Sequence, residues 1–144
     1  MFKNITVAID GSDHAWRALA VACDLAKRYD GRIHLVHTPE LQSKGVPVGY
    51  GAVEVQPTAA EIAKAGEVVM AEAATIARDN GVEPATQSVC NGTPSEEAIS
   101  LASETGSDLI VTGRRGIGGL QSLLLGSTSQ KIARDAPCAH LTVK

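Results

Sequence analysis

The chain has 144 residues, 44% of them hydrophobic and 20% charged, enough for one domain with a sizeable core and too apolar for a disordered segment. Its net charge of −3, with Lys27-Arg28 and Arg114-Arg115 as the only adjacent basic pairs, argues against binding nucleic acid or an anionic membrane, which both need concentrated positive charge. No apolar run approaches membrane-spanning length, because Glu72 interrupts the best candidate.

Met1-Phe2-Lys3-Asn4-Ile5 runs directly into strand-like sequence without an apolar leader and cleavage site, so a cytoplasmic location is the expectation. The first strand is expected over Asn4 to Ile9. Ser12 or Asp13 then caps a helix whose stripe is Trp16, Leu19, Cys23 and Ala26, with Trp16 as core anchor and Gly31 as stop. A second strand covers Arg32 to His37. Thr38 to Gln56 follows, rich in glycine and proline and without a clear period, and it reads as a long loop that serves as a lid. Thr58-Ala59-Ala60-Glu61 spells a capping box for a helix with the stripe Ile62, Val69, Ala73 and Ile76, ended by Gly81.

A third strand is expected over Ala85 to Val89. Thr93-Pro94-Ser95-Glu96 spells another capping box, with proline at the first helical position. The fourth strand runs Asp108 to Thr112. A short helix opens at Ser127-Thr128-Ser129-Gln130, a third capping-box spelling, and Ala139 to Val143 forms the last strand. Strands alternating with helices predict an α/β fold: an open five-stranded parallel sheet with right-handed crossovers and helices on both faces, as a single domain over 1–144. Cys23, Cys90 and Cys138 are odd in number and far apart, which fits reduced thiols in apolar pockets.

In such a sheet, ligands bind outside the carboxyl ends of the strands, where strand order reverses. Gly113-Arg114-Arg115-Gly116, nine further residues, and Gly126-Ser127 lie between a buried-looking strand and a helix start. Glycines allow close approach of backbone N–H groups to an anion, and the helix N-terminus adds unpaired donors with partial positive charge. If the first and fourth strands are neighbours, one crevice gathers Asp10, Gly113, Gly116, Gly126 and Ser127. The stretch therefore points to a phosphorylated ligand. There is no G-x-x-x-x-G-K-[ST], and Gly116-Ile117-Gly118-Gly119-Leu120-Gln121 fails G-x-G-x-x-G at its last position. Nucleophile-elbow, H-E-x-x-H and C-x-x-C spellings are also missing from the sequence.

The spelling G-x-x-G, nine residues, G-S, followed by a helix, Ala136-Pro137-Cys138 and a last strand, resembles the universal stress protein family, and so does the opening Ile5-Thr6-Val7-Ala8-Ile9-Asp10-Gly11-Ser12. The resemblance covers essentially the whole chain and its ATP-binding branch. It implies a Rossmann-like fold of the adenine nucleotide alpha hydrolase type, and ATP (or ADP or AMP), with or without Mg²⁺, as ligand. It implies further that Gly113, Gly116, Gly126 and Ser127 line the triphosphate, with Thr128 adding a donor. Asp10 would sit near the ribose or a phosphate-bound divalent ion. Ala8, Ile9 and Val36 would wall the adenine, with backbone groups near Val36 and His37 reading its edge. The last strand would pair with a second copy to make a homodimer. That strand carries His140 and Thr142 where the family commonly has an unbroken aliphatic run.

Plainer readings stand beside these. Ser127 and Gln130 also read as a cap needing no ligand. Asp10 also reads as an acid favouring a helix dipole. Arg114 and Arg115 are candidates to neutralise phosphate and equally read as solvated loop charges. His14 is expected exposed, and none of His34, His37 and His140 has a partner at metal spacing, so structural or surface roles are expected for them and no metal ligand is assigned. The leading function is a nucleotide-dependent regulatory or stress-resistance protein with no catalytic residue assigned. The alternatives are a slow ATPase or phosphotransfer enzyme, for which Asp10 and His37 are the only base candidates, and a nucleotide-free dimeric interaction module.

Overall fold

The structure, a computed structural model, describes residues 1–41, 43–116 and 126–144. The elements in chain order are β1 (Asn4–Ile9), α1 (Asp13–Tyr29), β2 (Arg32–His37), β3 (Lys44–Val48), β4 (Gly51–Val55), α2 (Ala59–Asp79), β5 (Thr86–Val89), α3 (Pro94–Thr105), β6 (Leu109–Gly113), α4 (Ser127–Asp135) and β7 (Ala139–Val143). Five of the strands form one sheet in the order β5-β2-β1-β6-β7, and every pairing in it is parallel. The architecture is the α/β, Rossmann-like one the alternating pattern predicts.

Burial explains why these runs are strands. The three central strands β2, β1 and β6 are covered on both faces and are nearly continuous in β-branched and aliphatic residues. Ile5, Val7, Ile33 and Leu35 meet α1 and α2 on one face, through Leu19, Cys23, Met70 and Ala73. Val36 and Ile110 meet α3 and α4 on the other, through Ala98, Leu101 and Ile132. Trp16 is half-buried at the margin of the first cluster and not at its centre.

The helix ends follow the sequence in part. Ser12 caps α1, its hydroxyl accepting from Ala15 N–H at 3.2 Å. Thr58 and Glu61 form the full capping box expected at α2. The box expected at α3 does not form: Thr93 is the N-cap and Pro94 opens the helix, but the Thr93 side chain makes no cap hydrogen bond, and the Glu96 carboxylate pairs with Lys131. At α4 the N-cap is Gly126, so Ser127 is the first helical residue and not the cap. The Gly126 carbonyl accepts from Gln130 N–H at 3.0 Å, which places the helix start one residue earlier than the Ser127 spelling implies.

The segment expected as a long loop contains an antiparallel hairpin, β3 with β4. Its two-residue turn is Gly49-Tyr50, with Gly49 at φ +61°, a backbone region glycine enters without steric penalty. Register puts Val46 opposite Val53, so Val46, Val48, Val53 and Val55 share one face. The period of two was present in the sequence but masked by interleaved glycine and proline. The hairpin is held to the start of α2 by Lys44 and Glu61, whose charged atoms are 3.5 Å apart.

Ile132 is fully buried and is the aliphatic anchor of the nine-residue α4. We expect Ile132→Ala to destabilise the protein by about 2–5 kcal/mol in urea unfolding, the usual range for removing a large buried aliphatic side chain. A loss under about 1 kcal/mol would contradict the role given to this anchor.

Candidate functional site

The chain steps outward from β1 to β2 and β5 on one side, then crosses to β6 and β7 on the other. The reversal falls between β1 and β6, and outside their carboxyl ends is the position where such folds take ligands. Asp10 leaves β1 here. Its Oδ1 accepts from Ser12 N–H at 2.9 Å, and its Oδ2 lies against Gly116, where a Cβ would come within 2.5 Å. The Ser12 hydroxyl donates to the Arg115 carbonyl at 3.4 Å.

Gly113 ends β6 against the first turn of α1, and a Cβ there would stand 2.7 Å from the His14 carbonyl carbon and 2.9 Å from Ala15 N. No side chain fits in that gap. Gly126 N–H donates to the Arg114 carbonyl at 2.9 Å, which joins the two halves of the glycine stretch. Arg114 N–H in turn donates to the Val143 carbonyl at 2.7 Å, tying the turn to the last strand. The structure therefore gathers Asp10, Gly113, Gly116 and Gly126 as the strand-neighbour reading expects. Ser127 is exposed on the first turn of α4 and Thr128 is half-buried. The spacer at 117–125 and residue 42 in the expected lid lie outside the described residues.

On the other side of β1, register sets Ala8 opposite Val36 and Ile9 opposite His37. Ile9, Val36 and His37 are buried and Ala8 is half-buried. His37 Nδ1 donates to the Ile9 carbonyl at 2.8 Å, since that oxygen only accepts, and this bond spans the two strands at their carboxyl ends.

The electrostatics of the crevice favour an anion. The N-termini of α1 and α4 both end at it, each with partial positive charge. Around the same turn, His14 Nδ1, Arg114 Nε and Arg115 Nε are buried and have no hydrogen-bond partner. Buried polar atoms of this kind carry a desolvation cost that a ligand would relieve. His14 is thus half-buried against Gly113 and not exposed, because the first turn of α1 is pressed onto the end of β6. Sequence reasoning missed it as a site residue; its place in the first turn after β1 was the available signal. Both arginines are half-buried, with Nε inside.

The other titratable groups serve packing. His34 bridges Thr86 Oγ1 at 3.0 Å and Asn4 Oδ1 at 3.3 Å within the sheet. Burial pushes the Cys23 thiol up to about 11, and burial together with Glu97 does the same for Cys90. All three cysteines are free. A cavity of about 320 Å³ lies elsewhere, between the hairpin and α2, lined by Leu41, Val55, Pro57 and Ala65 among others. Its lining is mostly apolar by area and also carries Lys44, Lys64 and Glu61. Among the described residues, no helix is long and apolar enough to cross a membrane.

A doubly wound parallel sheet with a glycine-lined crevice at its switch point is the class the geometry defines. Over residues 1–144 the sequence matches the universal stress protein family. A universal stress protein of Thermus aquaticus is 39% identical over 144 residues, covering 100% of both chains. The same fold recurs in the universal stress protein from Archaeoglobus fulgidus solved in complex with dAMP, with TM-score 0.70 and 19% identity over 100% of this chain and 98% of that one. A universal stress protein in complex with cAMP superposes with TM-score 0.72 at 22% identity, over 99% of this chain and 97% of the other. The chain belongs to the universal stress protein family.

Burial pushes the imidazoles of His34 and His140 below the ordinary histidine range, and Arg32 adds to the effect on His34. The unfolded chain therefore binds protons more readily than the folded one, and stability falls as pH drops below about 6.5. We expect the urea midpoint to decrease between about pH 7.5 and about pH 5, with a shallower decrease in His34→Gln. Superimposable profiles for variant and wild type would remove His34 as a contributor.

Proposed function

We propose that this chain binds an adenine nucleotide, with ATP the favoured ligand, in the crevice between β1 and β6, and acts as a nucleotide-dependent regulator with no more than slow turnover. The observation that carries the reading is the set of three buried, unpaired nitrogens of His14, Arg114 and Arg115 around a turn where Gly113 leaves no room for a side chain. The two arginine Nε–H groups need an acceptor, as does His14 Nδ1 when it carries a proton, and a polyphosphate supplies several. The two relatives of like fold with bound dAMP and cAMP support the adenine part.

In this reading Gly113, Gly116, Gly126, Ser127 and Thr128 face the phosphates, and Arg114 and Arg115 neutralise them. Asp10 lies at the ribose or would help hold a Mg²⁺ ion, which would offset phosphate charge. Ala8, Ile9, Val36 and His37 wall the base. His37 gives its Nδ1 proton to the Ile9 carbonyl and Asp10 Oδ1 accepts from Ser12 N–H, so backbone contacts orient both groups, and the reading assigns neither a catalytic role. The last strand, β7, ends the sheet with one edge open, and a second copy pairing there is the partner we propose. A monomer mass by light scattering would exclude that dimer.

Equilibrium dialysis with labelled ATP should show saturable binding by the wild type. Arg115→Ala should weaken it by about tenfold, as expected for one charge-assisted hydrogen bond. Gly116→Val should abolish it by driving a side chain into the Asp10 carboxylate. Gly113→Val is a poorer test, because its side chain would strike the α1 backbone and disturb the fold itself. A folded wild type that does not bind ATP refutes the proposal, and sustained release of ADP over many turnovers refutes its regulatory half.

A further inference from the structure

His140 has no role in the reading above, and in sequence it interrupts the last strand. In the structure it does not point along the open edge. Register sets it beside Ile110, on the sheet face covered by α3 and α4. Its Nε2 lies 2.9 Å from Thr112 Oγ1, and Thr112 Oγ1 lies 3.0 Å from Ser129 Oγ. Ser129 Oγ donates to the Gly113 carbonyl at 2.8 Å. Thr112 and Ser129 are both 3% exposed.

The direction of this chain of bonds follows from counting protons. The Gly113 carbonyl can only accept, so the one Ser129 proton goes there. Thr112 must then donate to Ser129, which leaves Thr112 oxygen as acceptor for the imidazole. Only Nε2–H satisfies all three bonds. The order is therefore His140 to Thr112 to Ser129 to the Gly113 carbonyl, crossing β7, β6 and α4 and ending on the residue where the glycine turn begins.

We infer that His140 is a positioning residue for the crevice: held in its Nε2–H form, it fixes the first turn of α4 against the Gly113 carbonyl through Thr112 and Ser129. The inference rests on the nucleotide reading, because that helix turn carries Ser127 and Thr128. Ser129 lies two residues beyond Ser127, so moving its hydroxyl moves the turn that faces the phosphates. The last strand thus grips the crevice twice, through the Val143 carbonyl on Arg114 N–H and through this relay. A directed chain of hydrogen bonds defines one arrangement, and removing one member leaves the next without its partner.

The test uses the intact chain with ATP as probe. In a long-range ¹⁵N–¹H spectrum, His140 should show the Nε2–H tautomer, and Thr112→Val should remove that preference. His140→Leu should bind ATP about tenfold more weakly while keeping the wild-type circular dichroism spectrum, and His140→Gln, whose amide N–H can replace Nε2–H, should restore binding to within about twofold. Adding His140→Leu to Thr112→Val should cost almost nothing further, as coupled sites require. The positioning role is overturned if the wild type binds ATP and His140→Leu binds it equally well, or if His140 carries its proton on Nδ1. Absence of ATP binding by the wild type is a different result: it removes the nucleotide reading and the role built on it, while the tautomer still reports whether the relay forms.

Discussion

The end of β6 meets the first turn of α1 so closely that a methyl group at Gly113 would overlap the His14 and Ala15 backbone. Most of the site depends on that contact. It brings the N-terminus of α1 onto the turn after β6, sets Asp10 against Gly116, and buries the His14 ring nitrogen beside the two arginines. The same closeness makes the turn a concave surface of backbone. Glycine here provides proximity through the missing Cβ and not through unusual dihedrals, since the described positive-φ glycines are Gly11, Gly49, Gly81 and Gly106.

The crevice is supported from two layers. On one side, Ser12 serves both α1, as its N-cap, and the turn, through the Arg115 carbonyl. On the other, α4 is anchored by Ile132 in the apolar cluster and by Ser129 on the Gly113 carbonyl. A cation or donor set on rigid elements of this kind is preorganised for an anion, which reduces the ordering cost of binding. On the other side of β1 the arrangement is apolar. Parallel pairing of β1 with β2 sets Ala8, Ile9, Val36 and His37 side by side, with the His37 ring locked across the strands.

Much of this was legible before the structure. The order of strands and helices followed from β-branched runs and capping residues, and the adjacency of β1 and β6 was the assumption that gathered Asp10 with the glycines. The misses have local causes. The Thr38–Gln56 segment carried a valine alternation too short and too broken by glycine and proline to stand out. Ser127 matched a capping-box spelling, yet Gly126 took the cap because its carbonyl lies one residue earlier in the helical ladder. Glu96 keeps a hydrogen bond to the Thr93 side chain and takes as ion-pair partner Lys131, 35 residues away in sequence. Spelling records what a residue can bond locally and is silent on competitors brought by folding.

Periodicity and composition determined by themselves that this chain would build parallel strands between helices, because a strand buried on both faces must be apolar throughout and a helix end must satisfy its orphan amides. Which polar atoms would be left buried without partners was decided only in three dimensions. His14, expected in solvent, lost its water when α1 settled on Gly113, and His140, on the edge strand β7, faces the α4 layer. Both outcomes depend on distances between residues far apart in the chain, which no local pattern encodes.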